Sequence, residues 1–391
     1  MNRRMQVAWL ALVAGACQCG NDRLMRLPTC EDDNSCYVDA GTPPPPPPPG
    51  PCPAVGAITG RVCATDQKTF VNGAKVELEA QDCNGVPVKI TTTSEQNGSF
   101  QLSRVPPGTW TVRASTGSFT QDNQVTVKAG ETLAIPDNQL CVAQKTVRIA
   151  VVTGFGDKIE DLLTNLGLTF TLYDGKSGYA TGAAPFLADL AQLKKYDIIF
   201  FDCAAARSNN SIDLGAKAST IQQNLKAYVE GGGSIYASDW ALLFAVAANP
   251  GGFEFATLSG AGIKNPLSTN QLMGYAPQTL TATIADPALA SFLEKASVQI
   301  TFPMASSVHW GLMEDVSGIA TVLVSAVKAD TCSNTACSAK GMAATGIPLA
   351  ARVKVNSADK PGGQVVYTSF HNVGQSGDDV AKILKYLILN L

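Results

Sequence analysis

The sequence predicts a multidomain chain in which an all-β sandwich is followed by an α/β domain on a parallel sheet. Three observations predict it. Residues 52–144 carry short alternating strand patterns separated by Asn-Gly and Pro-Gly turns. From residue 145 the pattern changes to continuous apolar runs alternating with amphipathic stretches. A run of seven prolines, 43–49, separates both from an N-terminal tract with little apolar periodicity. Alternating short strands argue for a sandwich, and strand–helix alternation argues for a parallel sheet.

Composition bounds the function. The chain has 391 residues, and 45% of them are hydrophobic, enough to build substantial cores. A formal net charge of −3 supplies no basic face for nucleic acid. Two histidines, His309 and His371, leave no material for a His-rich metal site, and no metal or cofactor is expected. The 11 cysteines fall largely in short loop-like stretches, as in proteins of oxidising compartments. Cys63, Cys83, Cys141, Cys332 and Cys337 are the disulfide candidates, with at least one partner expected among the first three. Cys332 and Cys337, in CSNTAC, have the spacing of half a zinc site. No second half follows, so a small disulfide-closed loop is the expected reading.

The first residues read MNRRMQVAWLALVAGACQCG. Arg3 and Arg4 precede an apolar stretch, Val7 to Ala16, that is too short to span a bilayer. Ala14, Gly15 and Ala16 then precede Cys17. The segment resembles a bacterial lipoprotein signal peptide, residues 1–16, although Ala14 stands where Leu is usual. The resemblance implies cleavage before Cys17, with lipid on its thiol and on the new amino group. Gln18 after the cysteine implies sorting to the outer membrane. Ordinary secretory cleavage after Ala16 is the alternative. Two or more acyl chains give stable anchoring where one is marginal. Residues 17–51 then read as a linker with an acidic turn, EDDNSC, and a stiff polyproline spacer.

Within 52–144 the expected strands are GAITGRVCA, AKVELEA, VKITTTS, SFQLSRV, TWTVRAS and QVTVKAG. The turns between them fall at Asn72-Gly73, Asn84-Gly85, Asn97-Gly98 and Pro106-Pro107-Gly108. The stretch NGSFQLSRVPPGTWTV carries a resemblance to the carboxypeptidase regulatory-like domain, a transthyretin-like or starch-binding-like sandwich. It implies no peptidase activity, because no His-x-x-Glu pair is present to hold zinc. Related sandwiches bind carbohydrate through exposed aromatics, for which Trp110 and Phe119 are the local material. Trp110 alternates with Thr109 and Thr111 as a core residue would.

In the α/β region TVRIAVVTG, TFTLYDG, YDIIFFDC and SIYASDWA read as strands, and DKIEDLLTNLG, FLADLAQLKKY and STIQQNLKAYVE as helices. Gly231–Gly233 lie after a helix and before a strand. A phosphate loop needs the reverse order, so the triplet reads as a helix stop with Gly231 as its left-handed cap. Gly154-Phe155-Gly156 follows a strand, but no longer glycine pattern completes it.

The stretches LKKYDIIFFDC, NLKAYVEGGGSIYASDWA and GGQVVYTSFHN resemble the class I glutamine amidotransferase-like fold, a flavodoxin-like sheet, over residues 145–391. In that family a cysteine occupies the G-x-C-x-G turn after the glycine-preceded strand. Here Asp239 stands at that position, with Ala237 and Ala241 for the glycines. His371 follows a strand as the family's histidine does, but no His-x-Glu follows. The resemblance therefore implies a fold without glutaminase chemistry. Ligands of open α/β sheets sit beyond the strand carboxyl ends, where Gly154, Cys203, Asp239, Trp240 and His371 are expected. Asp239 and His371 are the candidate catalytic pair for acid/base work. Their alternative is structural: Asp239 caps the following helix, Trp240 packs at the sheet edge, and His371 is a satisfied polar residue. Cys203 reads as a buried, inert thiol. His309-Trp310 carries no recognisable motif.

The expected function is a lipid-anchored envelope binding or scaffolding protein, non-catalytic, with glycan or an envelope protein as partner. The rival is an envelope hydrolase using Asp239 and His371.

Overall fold

The computed structural model describes residues 51–144, 147–208, 211–255, 268–269, 278–302, 310–311, 313–326, 346–356 and 361–391. Residues 51–391 form one compact unit. Cys17, His309, Cys332 and Cys337 lie outside the described residues.

The sandwich is built from β1 (Gly56–Arg61), β2 (Lys75–Gln81), β3 (Pro87–Thr93), β4 (Ser99–Val105), β5 (Gly108–Thr116), β6 (Phe119–Val127) and β7 (Thr132–Ala134). One sheet has the order β4-β1-β7 and the other β3-β2-β5-β6. Only β7, three residues long, was not expected from the pattern. Strict alternation sends Val76, Leu78 and Ala80 of β2 inward and the residues between them outward. The turn glycines Gly73, Gly85, Gly98 and Gly108 all take positive φ, which explains their places between strands.

Two disulfides tie this part together, Cys52–Cys83 and Cys63–Cys141. Three of the five disulfide candidates are thereby placed. Cys52 is an additional partner, hidden from sequence because pairing depends on the fold. Trp110 is half-buried and donates its indole N–H to the Pro106 carbonyl at 2.7 Å. Phe119 is wholly buried. Phe119 therefore supplies no carbohydrate platform, and the polar tip of Trp110 is already engaged.

The second region runs β8 (Ile149–Val152), α1 (Ile159–Asn165), β9 (Thr171–Tyr173), α2 (Ala183–Leu187), α3 (Leu190–Leu193), β10 (Ile198–Phe201), β11 (Arg207–Ser208), β12 (Ser211–Asp213), α4 (Ala218–Glu230), β13 (Ser234–Ser238) and α5 (Leu242–Ala248). It continues with β14 (Phe253–Phe255), β15 (Ser268–Thr269), β16 (Gln278–Ile284), α6 (Pro287–Leu293), β17 (Ser297–Phe302), β18 (Met313–Val316), β19 (Ala320–Ala326), β20 (Ile347–Asn356), β21 (Pro361–Thr368) and α7 (Asp379–Leu389). No helix among the described residues is long and apolar enough to cross a membrane.

Nine strands form one sheet in the order β17-β16-β19-β20-β21-β13-β10-β8-β9. The run from β21 to β9 is parallel, as expected. The other four strands are antiparallel, so the sheet is mixed rather than purely parallel. The physical reason is local. β20 ends at Asn356 and β21 starts at Pro361, and so short a connection gives antiparallel neighbours.

Strand alternation divides the central sheet into two apolar faces. Ile149, Val151, Ile198, Phe200 and Tyr236 point to the face covered by α1, α6 and α7. Ala150, Val152, Ile199, Phe201 and Ala237 point to the face covered by α2, α4 and α5. Burial on both faces is why β8 and β10 read as unbroken apolar runs. The first of these cores continues into the sandwich through Ile58, Leu78, Val112 and Phe119. The chain end reinforces this contact: Ser118 N–H donates to the Leu391 carbonyl at 2.8 Å.

The glycine triplet does stop a helix, but the left-handed residue is Gly232 (φ 106°), not Gly231 (φ −77°). A side chain at Gly233 would overlap the Tyr228 ring. α5 is not capped by Asp239. A single 3-10 turn, Asp239–Ala241, intervenes, and α5 starts after Ala241 with no side-chain cap.

Candidate functional site

Parallel strands end together, and their carboxyl ends gather side chains from distant parts of the sequence. β8 is followed by Gly154 and Asp157, β10 by Asp202 and Cys203, β13 by Asp239, and β21 by Ser369 and His371. Every candidate for the crevice thus lies at one end of the sheet. Gly154 is there because nothing larger fits: a Cβ would overlap the carbonyl of Cys203. Trp240 follows Asp239 and packs, half-buried, against the α5-side core.

Cys203, Asp239 and His371 converge. One potential ligand atom from each lies within 4.8 Å of the others, and all three residues are buried. Asp239 holds positive φ (44°), a strained turn for a non-glycine residue of the kind that collects at functional sites. Its Oδ2 accepts from Cys203 Sγ at 3.2 Å, and its Oδ1 accepts from the Gly311 amide. Tyr367 braces the turn by donating to the carbonyls of Asp239 and Gly311, both at 2.9 Å.

The electrostatics follow from burial. Burial pushes the Asp239 carboxyl up to about 8, against the hydrogen bonds from Gly311 and Cys203. Burial, and then Asp239, push the Cys203 thiol well above its ordinary range. Burial also holds the His371 imidazole below its ordinary value. Burial, and then Asp157 and Glu160, push the Asp202 carboxyl well above its ordinary range. Burial thus favours the uncharged form of each of these groups.

Several contributors were not legible in the sequence. Trp310 stacks on His371 with ring centroids 4.7 Å apart and 30° between planes. Ser238 donates to Asp157 Oδ2 at 2.7 Å. Gly311 enters from a loop about 70 residues beyond Asp239, a contact no periodicity encodes. The Asp-Cys pair at the end of β10 was the one local signal for Asp202. His371 Nδ1 is buried with no hydrogen-bond partner among the described residues, so the reading of His371 as satisfied does not hold at that atom.

A second concavity lies beside the sandwich. It has a volume of about 480 Å³ and is lined by Thr65, Gln67, Gln121, Asn138, Gln139 and Gln144, with Gly167 and Thr169 from the α1–β9 turn closing it. No charged side chain lines it. Gln67 sits at positive φ (57°), in a turn fixed by Asp66. Gln144 spans the seam: its amide donates to the carbonyls of Val147 and Thr169 and accepts from the Thr169 N–H. The side chains of Gln67 and Asn138 are exposed.

Residues 57–140 match the Carboxypeptidase regulatory-like domain family, in accord with the sandwich. No curated protein sequence matches the chain. Among solved structures, similarity is found to BcpA, the major pilin subunit of Bacillus cereus, at 20% identity and TM-score 0.17, over 22% of this chain and 31% of that one. A type II cohesin-X-dockerin complex from Acetivibrio cellulolyticus matches at 18% identity and TM-score 0.17, over 22% of this chain and 56% of that one. PurLQS from Thermotoga maritima matches at 14% identity and TM-score 0.36, over 62% of this chain and 97% of that one. At these scores none of the three bears on ligand or partner.

Proposed function

We propose that this protein is a non-catalytic, lipid-anchored envelope protein that binds glycan in the cleft beside its sandwich. The observation that carries the reading is the lining of that cleft, which bears no charge and is mostly amide and hydroxyl, with Cys141, Val142 and Ala143 as its apolar part. Amides offer paired donors and acceptors, the complement of a neutral polyhydroxylated ligand, whereas a phosphate or carboxylate ligand calls for Arg or Lys. The region between Cys17 and Pro51, with its seven prolines, would hold the cleft away from the lipid surface.

The state of Asp239 supports the non-catalytic part. Both carboxylate oxygens are engaged and the residue is 2% exposed, so no base or nucleophile is presented to a substrate. One observation favours the hydrolase reading: the reactive atoms of Asp239 and His371 are within 4.8 Å, close enough for a water-bridged proton transfer.

The experiment is a glycan array and peptidoglycan pull-down with the chain from Pro51, run beside a screen for ester, amide and glycoside hydrolysis. Retention on a glycan, weakened by Gln67→Ala and Asn138→Ala, is the expected result. Hydrolysis lost in Asp239→Asn, with unchanged melting, would replace this reading by the hydrolase.

A further inference from the structure

We propose that Cys203, Asp239 and His371 form a binding site for a single divalent cation of the zinc class. The three come from the ends of β10, β13 and β21, so the sheet itself sets their spacing. Their candidate ligand atoms already lie within 4.8 Å of one another. A tetrahedral zinc site needs bonds of about 2.0–2.3 Å, so the atoms have only to draw together by about 1 Å.

The donor set is selective. A thiolate, an imidazole and a carboxylate together suit a borderline cation; calcium and magnesium prefer oxygen alone. Three protein ligands leave a fourth corner for water. The binding step is balanced by protons: the Cys203 thiol and the Asp239 carboxyl each give up a proton to solvent, the Sγ–H···Oδ2 bond between them is broken, and the cation takes the place of those protons.

An independent observation points the same way. His371 is 6% exposed, and its Nδ1 is buried with no hydrogen-bond partner among the described residues. The nitrogen on the thiol side is Nε2, 3.8 Å from the point where a Gly156 Cβ would lie 2.7 Å from Cys203 Sγ, so Nε2 is the ligand atom and the unbonded Nδ1 leaves the ring without a competing hydrogen bond at that atom. The surroundings also hold the ligands in place. Gly311 fixes Oδ1 of Asp239 and leaves Oδ2 facing Cys203, and Trp310 packs on the imidazole. Gly156 gives the thiol room, since a Cβ there would come within 2.7 Å of Cys203 Sγ. This inference rests on the strand ends alone and stands or falls independently of glycan binding in the cleft.

The test uses the whole exported chain, stripped with chelator and then titrated with Zn²⁺ and Co²⁺. The expected result is one equivalent bound, with a thiolate-to-cobalt charge-transfer band in the cobalt form. Cys203→Ser should abolish that band, and His371→Gln should weaken binding by about tenfold or more. Because either variant could fail to fold, zinc-edge X-ray absorption on the unmutated protein gives a second reading. One sulfur and one imidazole in the shell are expected. A chain that binds no zinc, a charge-transfer band that persists in Cys203→Ser, or a shell of several sulfurs would overturn the proposal.

Discussion

Asp66 shows how much one side chain can organise. Its Oδ1 accepts from the Lys68 and Thr69 amides, its Oδ2 from the Thr69 hydroxyl at 2.6 Å, and Lys385 of α7 lies 3.9 Å away. Burial opposes ionisation, but the Thr69 and Lys68 hydrogen bonds and the Lys385 charge prevail and hold the carboxyl below its ordinary range. Its stabilisation is therefore complete above the unfolded-state value of about 3.9 and is lost as pH falls through the lower folded-state value. Asp66→Asn is expected to cost about 1 kcal/mol at neutral pH, the scale of a lost cap. Urea unfolding of both proteins should show that difference shrinking below about pH 3. A difference that stayed constant with pH would show that the charge contributes nothing. The sequence placed Asp239, Cys203 and His371 at the strand ends correctly, because strand order alone decides that. It misassigned the partner of Asp239. A helix cap is a local expectation, whereas Gly311 reaches that carboxylate through the fold.

Among elements, the turn before β13 and the start of β21 approach closely at a glycine. A Cβ on Gly363 would lie inside the contact distance of the Gly233 carbonyl. β13 and β21 are parallel neighbours at the centre of the sheet, so the clash cannot be relieved at an edge. Gly363→Ala is expected to destabilise the protein by about 3 kcal/mol or more, as overpacking against backbone does. Thermal melting checks this, and a variant that melts like the parent would mean that the two strands can separate freely. The same elements show what patterns reveal. β8 and β10 were legible because strands buried on both faces are continuously apolar. β16 to β20 were not, because their antiparallel pairing depends on connections rather than on composition. FLADLAQLKKY read as one helix, but Asp189 caps a second one within it, accepting from the amides of Ala191 and Gln192.

At the scale of the whole molecule, the sandwich and the α/β region share a core, and the cleft proposed to hold glycan lies along their seam. No sequence pattern predicts a surface made by two regions meeting, which explains why Gln67 and Asn138 were not singled out while the buried aromatics were. The proposed lipid anchor is a separate matter and is tested at Cys17. Cys17→Ser is expected to release the protein from membranes in cell fractionation. Mutant protein that still sedimented with membranes after a high-salt wash would refute the lipid anchor.

The central claim, glycan binding in the neutral cleft rather than chemistry at the strand ends, is tested most directly by hydrogen-exchange mapping. The chain from Pro51 would be compared with and without a saccharide that it retains. The account predicts slowed exchange at residues 65–69 and 138–144, with the turns at 239–241 and 369–375 unchanged. Protection confined to those strand-end turns, with the cleft unaffected, would contradict it.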